Sequence, residues 1–563
     1  MNHEAPATPS QRPWLASYPP GVDADIDVPP QATVVSLMEA ACRRYAAQPS
    51  YISMGSTLSY DELEIRSRHF AAWLQSRGIR AGSRVALMMP NLLQYPIALF
   101  GVLRAGGVAV NCNPLYTPRE LEFQLRDSGA EAIVVLENFA HTLAQVRTLP
   151  SLKSIVVTSV GELLGGFKGR AIDFVLRHVK RAVPRWQLDA VRFNDALAQG
   201  AAAEATFNKP AVGPQDLAFL QYTGGTTGRP KGAMLSHANI VANLTQVDQW
   251  IAGVVVEGQE RVVTALPLYH IFALTANCLA FMHKGAANLL IINPRDIDSF
   301  VKELERYPFT VLTGVNTLFS ALLHHPRFAR LDFSRLKVTL GGGMAVQREV
   351  ADRWQQVTGN TLIQAYGLTE TSPGATINPL TQKAFNGSIG LPLPSTEVEI
   401  RDEAGQAQPV GHAGEVCIRG PQVMVGYWNQ PEETRAVFYP DGFLRTGDVG
   451  MFDEQGYVYL LDRKKDMIKV SGFNVYPNEI EDVVARHPGV REVAAIGVPD
   501  AHSGEAIKLY VVRRDPALTS EALIGYCRQE MTGYKVPRHV EFREDLPHTN
   551  VGKILRRALK EQG

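Results

Sequence analysis

The chain has 563 residues, which is too long for one ordinary domain and indicates several structural units. Its apolar content of 45% is normal for a globular protein, and its 56 basic residues are balanced by 56 acidic residues. This balance argues against a nucleic-acid-binding protein, because there is no overall positive field to attract phosphate backbones.

The N-terminus, the apolar stretches and the cysteines indicate where in the cell the protein is located. Residues 1–6 lack the basic start and apolar run of a signal peptide, and no apolar stretch reaches the length that spans a bilayer. The best candidate, residues 271–282, is short and contains Thr275 and Asn277, so we expect a buried helix there. The cysteines are odd in number and lack metal-ligand spacing, which favours reduced structural thiols and a cytoplasmic location. They are Cys42, Cys112, Cys278, Cys417 and Cys527.

After an N-terminal extension, residues 1–30, the first third of the chain alternates helix and strand signals. The Ser-x-x-Glu motif at 59–62 predicts a helix start, and the apolar run 85–89 predicts the next strand. The Thr-Pro-x-Glu motif at 117–120 predicts a second helix, which is followed by the apolar strand 132–136. Such alternation predicts βαβ units and a mainly parallel sheet.

Residues 165–187 differ from their surroundings. They carry six basic residues against one acidic residue, interleaved with apolar ones. Phe174, Val175, Val179 and Val183 fall at helical spacing, which predicts a basic amphipathic helix. Two interpretations stay open: contact with anionic lipid at a membrane surface, or packing on the protein itself with a solvated basic face.

The most informative motif is Tyr-Thr-Gly-Gly-Thr-Thr-Gly-Arg-Pro-Lys-Gly at 222–232, which follows the apolar strand 217–220. Glycines let successive N–H groups converge, hydroxyls donate hydrogen bonds and the lysine supplies charge, so we predict a phosphate-binding loop. It is not the common P-loop, because Arg229 and Pro230 separate the last glycine from the lysine. A flexible surface linker is the alternative. The predicted phosphate-binding residues are Thr223, Gly224, Gly225, Thr226, Thr227, Gly228 and Lys231.

Three further clusters could complete a nucleotide site. In the Tyr-Gly-Leu-Thr-Glu run at 366–370, the aromatic ring could stack on a base, and Glu370 could bind a hard cation that shares phosphate oxygens. Asp448, in the turn-like 445–448, could accept hydrogen bonds from ribose hydroxyls. Near the C-terminus, Lys553 follows a glycine on a loop and could reach a distant site. Each cluster alone is only a weak signal.

The pattern changes from about Ser388, where short β-rich pieces are separated by Gly, Pro and Asp. Residues 388–461 predict a distorted antiparallel barrel or a small sheet. A charged run follows Asp462, and then an α+β tail of ordinary domain size. We therefore predict a boundary at Asp462 between a large unit, 31–461, and a small one, 462–563.

Taken in this order, the four motifs resemble those of the adenylate-forming superfamily, which includes acyl-CoA synthetases, luciferases and peptide-synthetase adenylation domains. The match runs from about residue 30 to the end. Residues 267–274, 313–319 and 462–477 look like the bacterial long-chain fatty-acyl-CoA synthetases. The resemblance implies an α/β fold: a large N-terminal domain of two βαβ-type subdomains and a distorted β-barrel, with a small mobile α+β C-terminal domain.

The resemblance also implies a reaction in two halves. A fatty carboxylate attacks the α-phosphate of Mg-ATP to give acyl-AMP and pyrophosphate, and the thiol of coenzyme A then displaces AMP. Both partners of the first half are anionic, so we expect charge neutralisation to dominate catalysis. In relatives the small domain rotates about the residue that matches Asp462, which exchanges Lys553 for the Gly472 loop at the active site.

The resemblance assigns a role to each candidate residue. His270 has an alternative interpretation as an interior histidine. The implied roles are catalysis for Lys553, Lys231 and His270; magnesium binding for Glu370 and Thr223; adenine and phosphate contacts for Gly341, Gly342, Tyr366, Gly367 and Thr369; ribose and further nucleotide contacts for Asp448, Arg463, Lys465 and Lys469; the acyl pocket for Gly314, Val315 and Asn316; the hinge for Asp462; and the CoA step for Gly472.

The leading hypothesis is a long-chain fatty acid:CoA ligase that uses ATP, Mg²⁺ and coenzyme A. The rivals are a medium-chain or aryl acyl-CoA ligase, an acyl-AMP ligase that loads a carrier protein, and a non-catalytic acyl-binding protein held at a membrane by 165–187. Peripheral contact with the inner face of the cytoplasmic membrane and a homodimer are further expectations. The sequence leaves chain length, oligomeric state and metabolic pathway open.

Overall fold

The structure, a computed structural model, describes residues 12–146, 151–223, 230–471, 473–500, 503–549, 552 and 554–561. The strands in chain order are β1 (Pro49–Ser53), β2 (Ser56–Ser59), β3 (Arg84–Met88), β4 (Val108–Asn111), β5 (Ala132–Leu136), β6 (Ser154–Thr158), β7 (Val191–Arg192), β8 (Leu217–Thr223), β9 (Lys231–Ser236), β10 (Arg261–Thr264), β11 (Ala287–Leu290), β12 (Val311–Gly314), β13 (Val338–Gly341), β14 (Leu362–Gly367), β15 (Gly374–Ile377), β16 (Leu391–Pro392), β17 (Glu397–Arg401), β18 (Gly414–Arg419), β19 (Gly426–Tyr427), β20 (Leu444–Phe452), β21 (Val458–Arg463), β22 (Ile468–Val470), β23 (Phe473–Val475), β24 (Val490–Asp500), β25 (Gly504–Arg513) and β26 (His539–Arg543).

The helices cover the faces of these sheets. In chain order they are α1 (Val34–Arg44), α2 (Tyr60–Ser76), α3 (Gln94–Arg104), α4 (Pro118–Ser128), α5 (Glu137–Ala144), α6 (Gly166–Phe174), α7 (Phe193–Ala202), α8 (His237–Ile251), α9 (Phe281–His283), α10 (Ile297–Arg306), α11 (Asn316–His324), α12 (Arg348–Thr358), α13 (Pro431–Val437), α14 (Pro477–Ala485), α15 (Ser520–Glu530) and α16 (Arg556–Lys560). Short 3-10 turns occur at Pro13–Ser17, Glu204–Thr206, Phe328–Arg330, Thr369–Thr371 and Gly533–Lys535, and π-helical turns at Val175–Val179 and Ala273–Ala280.

Both predicted helix starts are confirmed by their capping geometry. The Ser59 hydroxyl accepts from the Glu62 amide at 3.1 Å, and the Glu62 carboxylate accepts from the Ser59 amide at 3.0 Å. The same reciprocal pair opens α4 at Thr117. This helix ends at Gly129, whose φ of 61° is left-handed and favours glycine. Local sequence therefore fixes the ends of these helices.

Two large sheets form the body of the described chain. The first has the order β19-β9-β8-β4-β3-β5-β6-β7, and the second β16-β15-β14-β13-β12-β10-β11-β1-β2. Their central strands are parallel, as in the register β12–β13–β14. Since helices connect these strands, the predicted βαβ architecture and the α/β class are confirmed. The carboxyl ends of parallel strands share one edge, where α/β proteins place their ligands.

Two smaller sheets complete the described structure. The β-rich segment forms the antiparallel sheet β17-β18-β20-β21, so it is the small sheet rather than a closed barrel. The tail forms the sheet β23-β22-β25-β24, with β26 paired to β25 and helices against it, as expected for a small α+β unit. Asp462 lies inside β21, near the end of that strand, rather than in a loop. The boundary there stays a prediction.

Residues that precede the first large helix pack on the β-rich sheet. Trp14 stacks on Phe452 with ring centroids 5.6 Å apart, and the Ser17 hydroxyl donates to the Gln455 carbonyl at 2.8 Å. Tyr18 contacts Trp250 edge-on at 5.3 Å between centroids. The described part of the N-terminal extension is therefore bound to the body of the protein.

Two expectations about apolar residues have clear outcomes. All five cysteines are buried and free, and burial raises the pKa of their thiols, for Cys42 to about 12. Residues 273–280 form a buried helical segment, as predicted, although it is a π-helix. Among the described residues, no helix combines the length and the apolar content needed to cross a lipid bilayer.

The prediction of one amphipathic helix through Val183 is wrong in its extent. The regular helix α6 ends at Phe174, and the following turn is π-helical and ends at Val179. The π-turn shifts the side chains away from the 3.6-residue spacing on which the prediction rested. Phe167, Phe174 and Val179 are nonetheless exposed, with relative exposures of 87%, 59% and 66%.

Candidate active site

A cavity of about 1480 Å³ opens at the carboxyl ends of the parallel strands of the second large sheet. Its wall includes residues from β8 and β9, from β12 to β14, from the β20–β21 pair and from the C-terminal tail. The predicted site residues that line it are Thr223, Lys231, His270, Asn316, Gly342, Tyr366, Gly367, Thr369, Glu370, Asp448, Asp462, Arg463 and Lys465. The cavity therefore brings together motifs that are up to about 240 residues apart in sequence.

Thr223 and Lys231 face each other across the antiparallel β8–β9 ladder. They form the base of the predicted phosphate loop, whose residues Gly224, Gly225, Thr226, Thr227 and Gly228 lie outside the described residues. The Lys231 ammonium forms an ion pair with Glu433 and lies 5.1 Å from the centre of the Tyr427 ring. Its side chain is only 16% exposed, so its charge acts in a partly desolvated site.

Tyr427 joins this lysine to the predicted metal ligand. Its hydroxyl donates to Glu370 Oε1 at 2.7 Å, while its ring faces Lys231. Burial and the neighbouring Glu370 carboxylate raise the pKa of Tyr427, which keeps the hydroxyl protonated as a donor. Tyr427 and Glu433 were missed by sequence reasoning, since the short strand β19 and the short helix α13 that carry them contain no motif.

The donor set fits a magnesium ion that is shared with substrate. Among the described residues, no group of three or more His, Cys, Asp or Glu side chains could hold a metal ion alone. Mg²⁺ commonly takes one or two protein oxygens and completes its octahedron with water and phosphate. The Glu370 carboxylate and the Thr223 hydroxyl, both at the cavity wall, match that requirement.

The predicted adenosine residues form one hydrogen-bonded group. The Tyr366 hydroxyl donates to Asp448 Oδ2 at 2.7 Å, and Arg463 Nε lies 3.1 Å from Asp448 Oδ1. Asp448 and Arg463 are opposite each other in the β20–β21 ladder, which explains their proximity. Burial and the Asp448 charge raise the pKa of Tyr366. Since a carboxylate has about four lone-pair sites, Asp448 can still accept from a diol.

Glycines lie at the ends of the strands next to Tyr366, and of Gly341 and Gly342 only the second lines the cavity among the residues described. Gly314, Gly341 and Gln364 are aligned in register across β12, β13 and β14. A Cβ on Gly342 would lie 3.1 Å from the Phe272 ring, and one on Gly367 only 1.7 Å from the Pro373 carbonyl oxygen. Side chains are therefore excluded at Gly367 by the backbone itself.

His270 and Asn316 border a largely apolar part of the cavity, whereas the other two predicted acyl-pocket residues, Gly314 and Val315, are not among the cavity-lining residues described. His270 lies in the wall, half-buried, and its Nδ1 accepts from the Phe272 amide at 3.4 Å. Gly314 and Val315 precede α11, which begins at Asn316. Beyond them the wall is formed by aliphatic and aromatic side chains: Val247, Trp250, Ile251, Phe281, Val311, Val338, Leu340, Ile377 and Leu380.

The predicted hinge residue is buried in an ion-pair network. Asp462 accepts from the amides of Arg463 and Asn478 at 2.6 and 2.8 Å, and from Arg556 Nη1 at 3.2 Å. Arg556 also binds Glu481 at 2.6 Å. Burial raises the pKa of Asp462 despite this partner. The network, which sequence reasoning missed, ties the end of β21 to the last helix.

The remaining predicted residues belong to the tail. Lys465 lines the cavity, and burial lowers its pKa, whereas Lys469 is exposed on β22 and is not among the cavity-lining residues described. Lys553 and Gly472 lie outside the described residues. Their neighbourhood is partly visible: the Gly552 carbonyl accepts from the Thr317 hydroxyl at 3.4 Å, so the tail touches the start of α11.

Comparison with known proteins gives the class of this cavity. The family model described as AMP-binding enzyme matches residues 38–428, and the model of the AMP-binding enzyme C-terminal domain matches 479–553. The chain therefore belongs to the AMP-binding enzyme family, which is the adenylate-forming superfamily. The resemblance inferred from the motifs is confirmed.

Individual relatives are similar over nearly the whole chain. A protein of Salmonella typhimurium named long-chain-fatty-acid–CoA ligase is 56% identical over 551 residues, which cover 98% of each chain. Among solved structures, the anthranilate CoA ligase AuaEII in complex with anthranoyl-AMP has a TM-score of 0.84 at 26% identity, covering 95% of this chain and 98% of that one. ATP-bound MatB from Rhodopseudomonas palustris has a TM-score of 0.78 at 29% identity, covering 94% and 99%.

Proposed function

We propose that the protein is an ATP-dependent long-chain fatty acid:CoA ligase, which forms an acyl-AMP intermediate and releases pyrophosphate and AMP. The observation that carries the proposal is one continuous cavity with a polar half at Lys231, Glu370 and Asp448 and an apolar half beyond His270. A nucleotide needs the first half, and an aliphatic chain needs the second. The name of the 56% identical Salmonella typhimurium protein supports this substrate class.

In the first half-reaction, the protein brings two anions together. Lys231, Thr223 and the loop 224–228 neutralise and hold the phosphates, and the Asp448–Arg463 pair holds the ribose. Tyr366 and Gly341–Gly342 border the adenine, and Lys465 at the cavity wall is a further nucleotide contact. The same role for Lys469, which is exposed on β22, stays a prediction. His270 lies beside the carboxylate, while Lys553 bridges the carboxylate and the α-phosphate.

Magnesium would be held by Glu370 and Thr223 together with phosphate oxygens, and when bound it supplies further neutralisation of the phosphate charge. Tyr427 orients the Glu370 carboxylate through its 2.7 Å hydrogen bond. The role of this chain is therefore to present two oxygens at a fixed position rather than a complete coordination shell.

The second half-reaction requires that Lys553 withdraw and that the Gly472 loop replace it. We assign this exchange to a rotation about Asp462, whose carboxylate accepts from Arg556 Nη1 at 3.2 Å. Asp462→Pro should leave acyl-AMP formation largely intact and abolish thioester formation. Normal thioester formation in this variant would exclude the hinge.

The reaction class and the substrate class are tested by one assay. Pyrophosphate release with ATP and Mg²⁺ is measured for palmitate, octanoate, benzoate and ferulate, followed by AMP release on addition of coenzyme A. We expect the highest kcat/KM with palmitate and AMP release that depends on coenzyme A. A maximum with an aryl acid would favour an aryl-CoA ligase, which is a specific alternative because a feruloyl-CoA synthase of Amycolatopsis sp is 36% identical over 504 residues.

Peripheral membrane contact is a separate part of the proposal. Phe167, Phe174 and Val179 are exposed beside Lys168 and Arg170, which combines apolar surface with positive charge. Sedimentation with anionic vesicles should deplete the protein from solution. Phe167→Ser together with Phe174→Ser should weaken this binding and leave activity on octanoate unchanged. Equal binding of this double variant would exclude the surface.

The expected homodimer is tested by light scattering. A dimer has twice the chain mass of 61.8 kDa. A mass of one chain across the concentration range would remove the homodimer from the proposal.

A further inference from the structure

The apolar half of the cavity follows one face of α8. Asn243, Val247, Trp250 and Ile251 line it, and these positions are four, seven and eight residues along the helix from the first. At 1.5 Å per residue, the distance from Asn243 to Trp250 along the axis is about 10 Å. Asn243 lies toward the nucleotide motif, since it donates to the carbonyl of Gly374 at 2.9 Å and Gly374 pairs with Gly367 in the β14–β15 ladder. Trp250 and Ile251 lie at the opposite end of this row.

The opposite wall has the two-residue repeat of strands. Val311 and Thr313 of β12 and Val338 and Leu340 of β13 line the cavity, while the intervening Thr339 accepts a hydrogen bond from Trp354 on the other face. A channel between one helix face and one sheet face suits an extended aliphatic chain. The length of this channel depends on the side chain that closes the end away from the nucleotide.

Trp250 is held in a fixed orientation there. Its indole N–H donates to the Asn378 carbonyl at 3.2 Å, and the residue is 3% exposed. The Tyr18 ring packs on it edge-on, at an interplanar angle of 88°. The Tyr18 hydroxyl in turn donates to the Pro392 carbonyl at 2.5 Å, which fixes the tyrosine on β16.

We propose that Trp250, positioned by Tyr18, forms the end wall of the acyl channel and sets the longest chain that the enzyme accepts. Tyr18 lies before residue 38, where the match to the AMP-binding enzyme model begins. A segment outside the matched region thus contributes to substrate selection. The inference rests on the proposed function, because it presumes that a fatty acyl chain occupies the apolar half.

The test compares kcat/KM for behenate with that for palmitate, using pyrophosphate release. Trp250→Ala should raise the behenate-to-palmitate ratio at least about fivefold, because space is added where the chain ends. Tyr18→Ala should raise it about twofold, since the wall loses its support, and Tyr18→Phe should keep a ratio near that of the wild type. The KM for ATP should not change in any of these variants.

Trp354→Phe, compared with Trp250→Phe, is the matched control. Trp354 is also buried and also donates its indole N–H, to Thr339 at 3.1 Å, but it is not among the cavity-lining residues described. We expect it to lower Tm without changing the ratio. If Trp250→Ala does not fold, the behenate-to-palmitate ratios of Trp250→Phe and Tyr18→Ala test the end wall in its place.

Failure of the end wall and failure of the proposed ligase function give different results. An unchanged ratio in Trp250 variants that still use octanoate would overturn the end wall, while the ligase function would stand. Wild-type protein that releases no pyrophosphate with behenate, palmitate or octanoate would overturn the proposed function, and the end wall with it.

Discussion

The polar and apolar halves of the cavity are built in different ways. In the polar half, single atoms have defined partners, such as Tyr366 with Asp448 and Tyr427 with Glu370. In the apolar half, aliphatic and aromatic side chains from α8, β12 and β13 enclose a volume. Charge chemistry needs particular atoms in place, whereas an alkyl chain needs only space and apolar surface. Substitutions in the polar half should therefore affect all acids alike, and those in the apolar half should act selectively.

The largest expected effect is that of Lys553→Ala. Loss of the lysine should lower the rate of acyl-AMP formation by about a thousandfold, because two anions would meet without neutralisation. Conversion of supplied acyl-AMP to acyl-CoA should be largely retained. Stopped assays of each half-reaction measure this, with Lys560→Ala in the same tail as the control. Loss of both halves would contradict the assigned role.

Lys231→Ala tests whether a substitution in the polar half lowers activity equally for different fatty acids. We expect kcat/KM for pyrophosphate release to fall about a hundredfold, and by the same factor for octanoate and palmitate. Lys209→Ala, which removes a lysine that pairs with Glu39 at the surface, serves as the control. Factors that differ tenfold between the two acids would show that the halves are not independent.

Glu433→Gln probes competition inside the polar half. The Glu433 carboxylate already pairs with Lys231, so a bound phosphate would compete with it for the ammonium group. Glu433 is 51% exposed, and removal of its charge should lower the KM for ATP by about twofold to fivefold, as expected for a partly exposed ion pair. The neighbouring Glu432→Gln should have no effect. A higher KM for ATP in Glu433→Gln would instead assign Glu433 a supporting role.

The last prediction concerns stability rather than catalysis, and its subject is α8, which carries the apolar half. His237 at its start is buried and accepts from the Val34 amide at 3.2 Å, and burial lowers its pKa from 6.5 to about 4. The folded state thus favours the neutral ring. The contribution of neutral His237 to the free energy of unfolding is therefore complete above pH 6.5 and is lost as the pH falls toward 4. The loss should be about 2–3 kcal/mol of unfolding free energy.

Urea denaturation at pH 7 and pH 4.5 measures this dependence. His237→Asn keeps an acceptor without a titrating ring, so its stability should fall less between the two pH values. A wild-type protein and a His237→Asn variant with the same pH dependence would exclude His237 as its source.

The fold was largely predictable because its signals are local. Capping boxes at Ser59 and Thr117 and the apolar run at 132–136 each depend on a few adjacent residues, and the structure has them at those positions. The helix predicted through Val183 ended early, since a π-turn is not encoded by simple periodicity.

The site was predictable only where chemistry restricts residue type within a short motif. Thr223, Lys231, Glu370 and Asp448 lie in such motifs and meet at the cavity. Tyr427, Arg556 and Trp250 do not, because their positions depend on tertiary packing between distant segments and many residue types occur at such places. The ring of Tyr427 lies near Lys231 only because β19 pairs with β9, the strand that carries this lysine.

The five buried cysteines have a practical consequence for an enzyme whose co-substrate is itself a thiol. None of them presents a thiolate at neutral pH, because burial raises their pKa values, for Cys527 to about 11. Mixed disulfides with oxidised coenzyme A are therefore disfavoured in the folded enzyme. Fluorophores would therefore attach only to cysteines engineered on either side of Asp462. Energy transfer between them would test the proposed rotation of the tail in the otherwise unaltered protein.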